Sequence, residues 1–406
     1  MTATTADNRY SNFVIFLLLS FPVLINSVKI FGNLILLILF LVGFYISITQ
    51  RKNPFLIPEL KLFSWITIIY FTVILVTLIH ADGWSAQFHH LGRKLHFLLA
   101  PLIALAVYKS NISIVKLLFS LKLGLLLIGI ITIIQFFLDY PRPSGMMNAN
   151  VFGDLAVSML FLSMVRIFQE SHKEKIFTSI AVIFGLIAII LSASRGSWLS
   201  FLILLSFFLY LSYCHFSKRL KAKNLLVFFT ALILLFGTIL TKTPVVKQFS
   251  QGVEEVQKWK DGDTSTTSNG MRMEMWKSGL LASTNAPWLG YGYRNANKVA
   301  TEYATKYHER ISGYTHLHNE YITNLVSSGI LGLIALFALL LSPLVVFAKN
   351  LKYDDRHYYA LMGVLLCIGY ITFGFSHIAF GEEHMNAFYV FFLSLLLPKM
   401  CRAVSV

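Results

Sequence analysis

Runs of about 20 apolar residues recur along the whole chain, and each is long enough to cross a bilayer as one helix. Only 13% of the 406 residues are charged, against 56% hydrophobic. A water-soluble domain carries roughly 25% charged residues, so most of this surface must meet lipid. In lipid every backbone group has to be satisfied within its own segment, which leaves helices as the natural reading of such runs. The reading is an all-α polytopic membrane protein with about twelve spans. They fall near 12–28, 30–49, 62–80, 95–109, 117–138, 151–168, 176–191, 198–213, 225–241, 321–348, 358–380 and 386–399. No basic region with a cleavable small-residue site precedes the first run, so it is expected to be a retained span.

Between the ninth and tenth runs lies one long polar segment, 242–319, read as a loop embedded in a single membrane domain, 1–406. Val245, Phe249, Val253, Val256 and Trp259 fall near one helical face, as in a helix lying on the interface or capping the bundle. A second amphipathic helix is expected from Asn297 to His308. None of the three cysteines, Cys214, Cys367 and Cys401, lies in this segment.

The net charge of +15 does not point to nucleic acid. The lysines and arginines sit in short loops rather than on an exposed polar face. With loops alternating sides, seventeen of them, including Arg51, Lys52, Lys173, Lys218 and Arg402, fall in one set. Only Lys29, Arg93, Lys94, Arg142 and Arg195 fall in the other. The first set is therefore cytoplasmic, with both termini, and the long segment faces the opposite side together with Arg142 and Arg195.

That outer side carries the candidate chemistry. Arg195 stands in S-A-S-R-G-S between two apolar runs, where an unpaired arginine costs roughly 3 kcal/mol or more. Small neighbours leave room for a ligand; the alternative is an arginine snorkelling from a helix end. Arg272, in M-R-M-E-M-W, sits near an expected helix start, a good place to bind an anion, or it pairs with Glu274 on the surface. His316 and His318 precede a new apolar helix, and an imidazole can serve as a base near neutral pH. Their i, i+2 spacing does not suit a metal pair. Arg142, Asn148 and Asn150 lie in one Pro/Gly/Asn stretch, and Asn319 follows the second histidine. Asp154 is expected to pair with Arg195 or Arg142. Glu382, Glu383 and His384 have nothing to complete a metal-ligand set. The sequence has no Walker loop, no H-E-x-x-H and no G-x-S-x-G. The first outer turn, Asn26 to Lys29, lacks the carboxylate that oligosaccharyl- and mannosyl-transferases place there.

Taken in order, P-R-P-S-G-M-M-N-A-N-V-F-G (141–153), S-A-S-R-G-S-W (192–198), R-M-E-M-W-K-S-G-L (272–280), P-W-L-G-Y-G (287–292), H-N-E-Y (318–321) and Gly329 resemble the O-antigen ligase and O-antigen polymerase superfamily. Lipopolysaccharide ligases look nearest, because the length leaves no room for an extra C-terminal region. The resemblance implies a metal-independent, inverting glycosyltransferase without a cofactor at the periplasmic face of the bacterial inner membrane. The donor would be an undecaprenyl-diphosphate-linked O-antigen glycan, and the acceptor a sugar hydroxyl of lipid A–core. On that reading His318, Arg272 and Arg195 are catalytic: the arginines neutralise the leaving diphosphate, and His318 (or His316 in its place) takes the acceptor proton. Arg142, His316, Asn319, Asn148, Asn150 and Asp154 would help bind substrate. An O-antigen polymerase would use the same donor. A lipid or solute transporter would instead place polar residues through the midplane, and here they cluster at the outer ends.

Overall fold

The structure, a computed structural model, describes residues 5–28, 30–78, 84–108, 110, 112–216, 245–261 and 267–401. Among them there are helices and no strands. In chain order these are α1 (Thr5–Leu24), α2 (Phe31–Thr49), α3 (Pro58–Thr77), α4 (Trp84–Arg93), α5 (Leu95–Tyr108), α6 (Ile114–Phe137), α7 (Ala149–Ser163), α8 (His172–Leu191) and α9 (Arg195–Phe216). After them come α10 (Val245–Lys260), α11 (Ser268–Ser283), α12 (Tyr293–Glu302), α13 (His308–Ile311), α14 (Glu320–Asn350), α15 (His357–Phe373) and α16 (Glu383–Cys401). Eight of the described helices are long and apolar enough to cross a membrane, in keeping with a multi-pass membrane protein. The expected ninth run, with the basic stretch Lys218 to Lys223 before it, lies outside the described residues.

Burial separates two kinds of span. Every residue of α7 except Asn150 is buried, and α16 is buried along nearly its whole length. Asn148 caps α7, its side chain accepting from Asn150 N at 2.9 Å. Small residues on α7, among them Ala156 and Ser158, let α6, α8, α9 and α15 pack around it. α2, α3, α6 and α14 keep large apolar side chains exposed along one face, which is the face lipid would cover.

Two departures from the sequence reading matter for the site. The stretch 81–94 reads as a loop, yet Trp84–Arg93 within it is α4, which runs almost directly into α5. The eleventh run was expected to reach residue 380, but α15 ends at Phe373. The chain then turns through a short 3-10 segment, Ala379–Gly381, into α16.

The polar segment has a small core of its own, in which Met275, Ala282, Ala300, Ile311, Leu317 and Val326 are buried together. It is strapped to α14. Ile330 N donates to Pro287 O at 2.7 Å, Tyr291 N to Val326 O at 2.9 Å and Gly292 N to Ser327 O at 2.8 Å. The strap enters α14 where Gly329 breaks the helix with φ 61 and ψ −163. A Cβ on Gly329 would stand 2.3 Å from the carbonyl of Trp288, so no larger residue lets the two backbones meet.

Candidate active site

The S-A-S-R segment is a tight turn between α8 and α9. Ser192 closes α8, Ala193 takes φ 51, and Arg195 opens α9. A left-handed non-glycine residue is uncommon and has to be held by its surroundings. Arg142 is part of that hold, donating through Nε to Ser192 O at 3.1 Å and through Nη2 to Ala193 O at 3.3 Å and Asn150 Oδ1 at 3.2 Å. Trp198 Nε1 donates to Ile189 O at 3.1 Å across the same turn. Gly196 lets the turn approach the loop after α15, since a Cβ there would sit 2.1 Å from Ser376 Oγ.

Asp154 does not pair with an arginine. It is buried on α7, and its Oδ1 accepts from Ser197 Oγ at 2.6 Å, while Ser197 Oγ also lies 2.8 Å from Ser194 Oγ. The ion partner of Arg195 is Glu255 on α10, with Nη1 and Oε2 3.6 Å apart. The same Glu255 oxygen accepts from Asn269 N at 3.1 Å, in the first turn of α11. Glu274 does not face Arg272 either. It accepts from Trp259 Nε1 at 3.1 Å, from Thr305 N at 2.8 Å and from Thr305 Oγ1 at 2.9 Å, and so ties α11 to α10 and the turn after α12.

These ties bring Arg142, Arg195 and Arg272 to the wall of one cavity of about 410 Å³, together with Asn150, Asp154, Gln251 and Ser376. Three guanidinium groups in one partly enclosed space repel one another. Burial, and then the charge of Arg195, draw Arg272 below the usual guanidinium range. Such a space favours a multivalent anion, which arginine can bind with paired, charge-assisted hydrogen bonds.

Beside Arg272 stands a cluster of imidazoles. His318 takes φ 49, and Asn319 follows as the N-cap of α14, its Oδ1 accepting from Tyr321 N and Ile322 N, both at 3.0 Å. The rings of His316 and His318 are 4.4 Å apart, and His377 lies 6.4 Å from His316. Three bonds pin this N-terminus of α14 to the loop after α15. Glu320 N donates to Gly374 O at 2.8 Å, Asn319 Nδ2 to Phe375 O at 3.3 Å, and Phe380 N to Glu320 Oε2 at 2.9 Å. From the other side Trp276 Nε1 donates to Leu317 O at 3.0 Å, fixing the histidines against the middle of α11.

His316 Nε2, His318 Nδ1 and His377 Nδ1 are buried without a hydrogen-bond partner among the described residues. Burial lowers the pKa of His316 to about 4, with Arg272 next in effect. Burial, then His316 and Arg272, takes His318 to about 2. Burial, then the same two groups, takes His377 to about 3. All three rings are thus neutral at pH 7, and weak as bases while no anion stands near them. The approach of an anion would raise their basicity.

The sequence-derived candidates therefore separate into three groups. Arg142, Arg195, Arg272, Asn150 and Asp154 line the cationic cavity. His316 and His318 do not line it but lie within the field of Arg272. Asn148 and Asn319 are helix caps whose side chains already serve the protein. His377 was not foreseen, because its run S-H-I-A-F reads as the end of an apolar span. Among the described residues no group of three His, Cys, Asp or Glu side chains is arranged to hold a metal ion, Glu382, Glu383 and His384 included.

An uncharacterized protein of Haemophilus influenzae is 25% identical to this chain over 358 residues, which is 84% of the chain and 86% of that protein. Residues 180–337, which carry Arg195, Arg272, His316 and His318, match the family model described as O-antigen ligase.

Proposed function

We propose that the protein transfers O-antigen glycan from undecaprenyl diphosphate to a sugar hydroxyl of lipid A–core, by an inverting, metal-independent displacement. The observation that carries this reading is the cavity lined by three arginines next to a buried, neutral imidazole cluster. A glycosyl diphosphate needs its departing charge neutralised, and preorganised guanidinium groups can supply that without a metal. Arg195 and Arg272 are assigned to the diphosphate. Arg142, tied to the Ser192–Ala193 turn, places Arg195 and lends a third positive charge. His318 accepts the proton of the acceptor hydroxyl as the new bond to the anomeric carbon forms. The bond from that carbon to the phosphate oxygen breaks, and undecaprenyl diphosphate leaves on the opposite face. Glu255 holds Arg195 until the diphosphate replaces it as partner.

On this reading the polar segment lies in the periplasm, embedded in one membrane domain, and both termini lie in the cytoplasm of an inner-membrane protein. The experiment is transfer in vitro with purified protein, lipid-linked glycan and lipid A–core. Formation of the linked product in EDTA supports the proposal. Elongated lipid-linked glycan with no product on the core would make the protein a polymerase.

A further inference from the structure

A second cavity, of about 510 Å³, lies between the P-W-L-G-Y-G strap and α12. That is the size of a small-ligand site. One wall is aromatic: Trp288, which is 66% exposed, and Tyr291. The other is one face of α12, where Asn295, Lys298 and Glu302 recur at helical spacing. Among the described residues neither Lys298 nor Glu302 belongs to an ion pair, although they stand at i, i+4. An open indole face opposite amide, ammonium and carboxylate groups suits a saccharide, which offers an apolar ring face and a rim of hydroxyls.

Its position identifies which saccharide. α11 is 16 residues long, about 24 Å from end to end. The arginine cavity is built on its first turns, through Ser268, Asn269 and Arg272. The groove begins at Ala286, just past its last turn. The histidine segment crosses between them, where Trp276 holds Leu317 O. Leaving group, base and groove thus follow one another along a single helix. In an inverting displacement the nucleophile arrives on the face opposite the leaving group, which is the side of the groove. The groove also adjoins lipid. Leu331 N donates to Trp288 O at 3.3 Å, and Leu331 begins the exposed apolar face of α14 that continues through Ile334 and Leu341. An indole at that level is a usual membrane-interface contact.

We infer that this groove seats the oligosaccharide headgroup of the acceptor glycolipid, with Trp288 stacking on a sugar ring and Lys298 and Glu302 taking its polar groups. The inference rests on the transfer reading given above. The test uses full-length protein in nanodiscs and measures KM for lipid A–core and for lipid-linked donor separately. Trp288→Ala, and separately the double variant Lys298→Met, Glu302→Gln, are expected to raise the acceptor KM roughly tenfold with the donor KM held. Trp65→Ala, another exposed tryptophan on a lipid-facing helix, is expected to move neither. A rise in donor KM instead would give the groove to the donor glycan and overturn the inference. So would an unmoved acceptor KM, or an equal effect from Trp65→Ala. A second measurement does not need transfer: calorimetric titration of core oligosaccharide, freed from lipid A, onto the protein without donor. Binding lost in both groove variants sustains the groove even if no glycan is transferred. Binding unchanged in both removes it while leaving the transfer reading intact.

Discussion

Replacing Arg272 by alanine tests the site at two points at once. The cavity would keep Arg195 and Arg142, but Arg142 is already bound to Ser192 O, Ala193 O and Asn150. Arg195, paired with Glu255 at rest, would then be left alone to meet a departing diphosphate that the proposal assigns to two guanidinium groups. Loss of one preorganised donor to a developing negative charge costs about 3–4 kcal/mol, or roughly 100- to 1000-fold in kcat. The second effect falls on the base. Arg272 is among the charges that lower His316, His318 and His377, so its removal raises all three toward the ordinary imidazole value. A base works only when unprotonated, so the acid limb of the rate–pH profile moves to higher pH in the variant. The assay is initial transfer rate in nanodiscs at saturating acceptor, from about pH 4 to 8, where histidines titrate. Arg272→Lys should recover part of the rate, since an ammonium keeps the charge but loses the paired geometry. A variant within threefold of the parent rate would remove Arg272 from the leaving-group site. A slow variant with an unmoved acid limb would separate Arg272 from the base and break the proposed centre in two.

Four further outcomes follow from the same geometry. His318→Ala should lower kcat at least 100-fold, as loss of a general base does, with membrane insertion and donor KM retained. Transfer should persist in EDTA; activity lost there and restored by Mg²⁺ or Mn²⁺ would refute metal independence. Gly329→Ala should destabilise the strap, because a positive φ and a 2.3 Å contact with the Trp288 carbonyl act together. That combination of φ 61 and ψ −163, a backbone region essentially confined to glycine, alone costs about 1–3 kcal/mol, read as a lower midpoint in thermal unfolding. Stability should fall as pH drops from about 6.5 toward 4, because the unfolded chain then binds protons that buried His316 and His377 refuse. The slope reaches about 1.4 kcal/mol per pH unit for each such histidine, and His377→Gln should flatten it.

The membrane-spanning helices were legible in the sequence because lipid imposes one solution on a long apolar run. That Arg142, Arg195 and Arg272 share one cavity fits a physical signal in the sequence, since a cation at the end of an apolar run is costly unless it has a partner. What could not be read is how the chain folds back on itself. Asp154 was expected to meet an arginine, but its partner is Ser197, a choice fixed by the packing of α7 on α9. The resemblance implies substrate-binding roles for Asn148 and Asn319, although an asparagine just ahead of a helix is an N-cap signal in its own right. His377 was hidden inside an apolar run, and only the early end of α15 turns it toward His316. α4 reads as a loop in a search for spans because it is ten residues long and half polar, too short and too polar to cross a bilayer.

The clamp between α14 and the loop after α15 bears on how the molecule comes into being. That loop is also fastened from an early segment, with Arg93 Nη1 donating to Gly381 O at 3.1 Å and Asn386 Nδ2 to Arg93 O at 2.7 Å. A chain emerging from the ribosome acquires its arginines and then His316 and His318 well before the clamp that gathers the three rings exists. The gathered trio can form only after α15 and the start of α16 have followed. A copy made only as far as α14 would therefore carry its three arginines without Ser376 to close their cavity and without His377 beside His316.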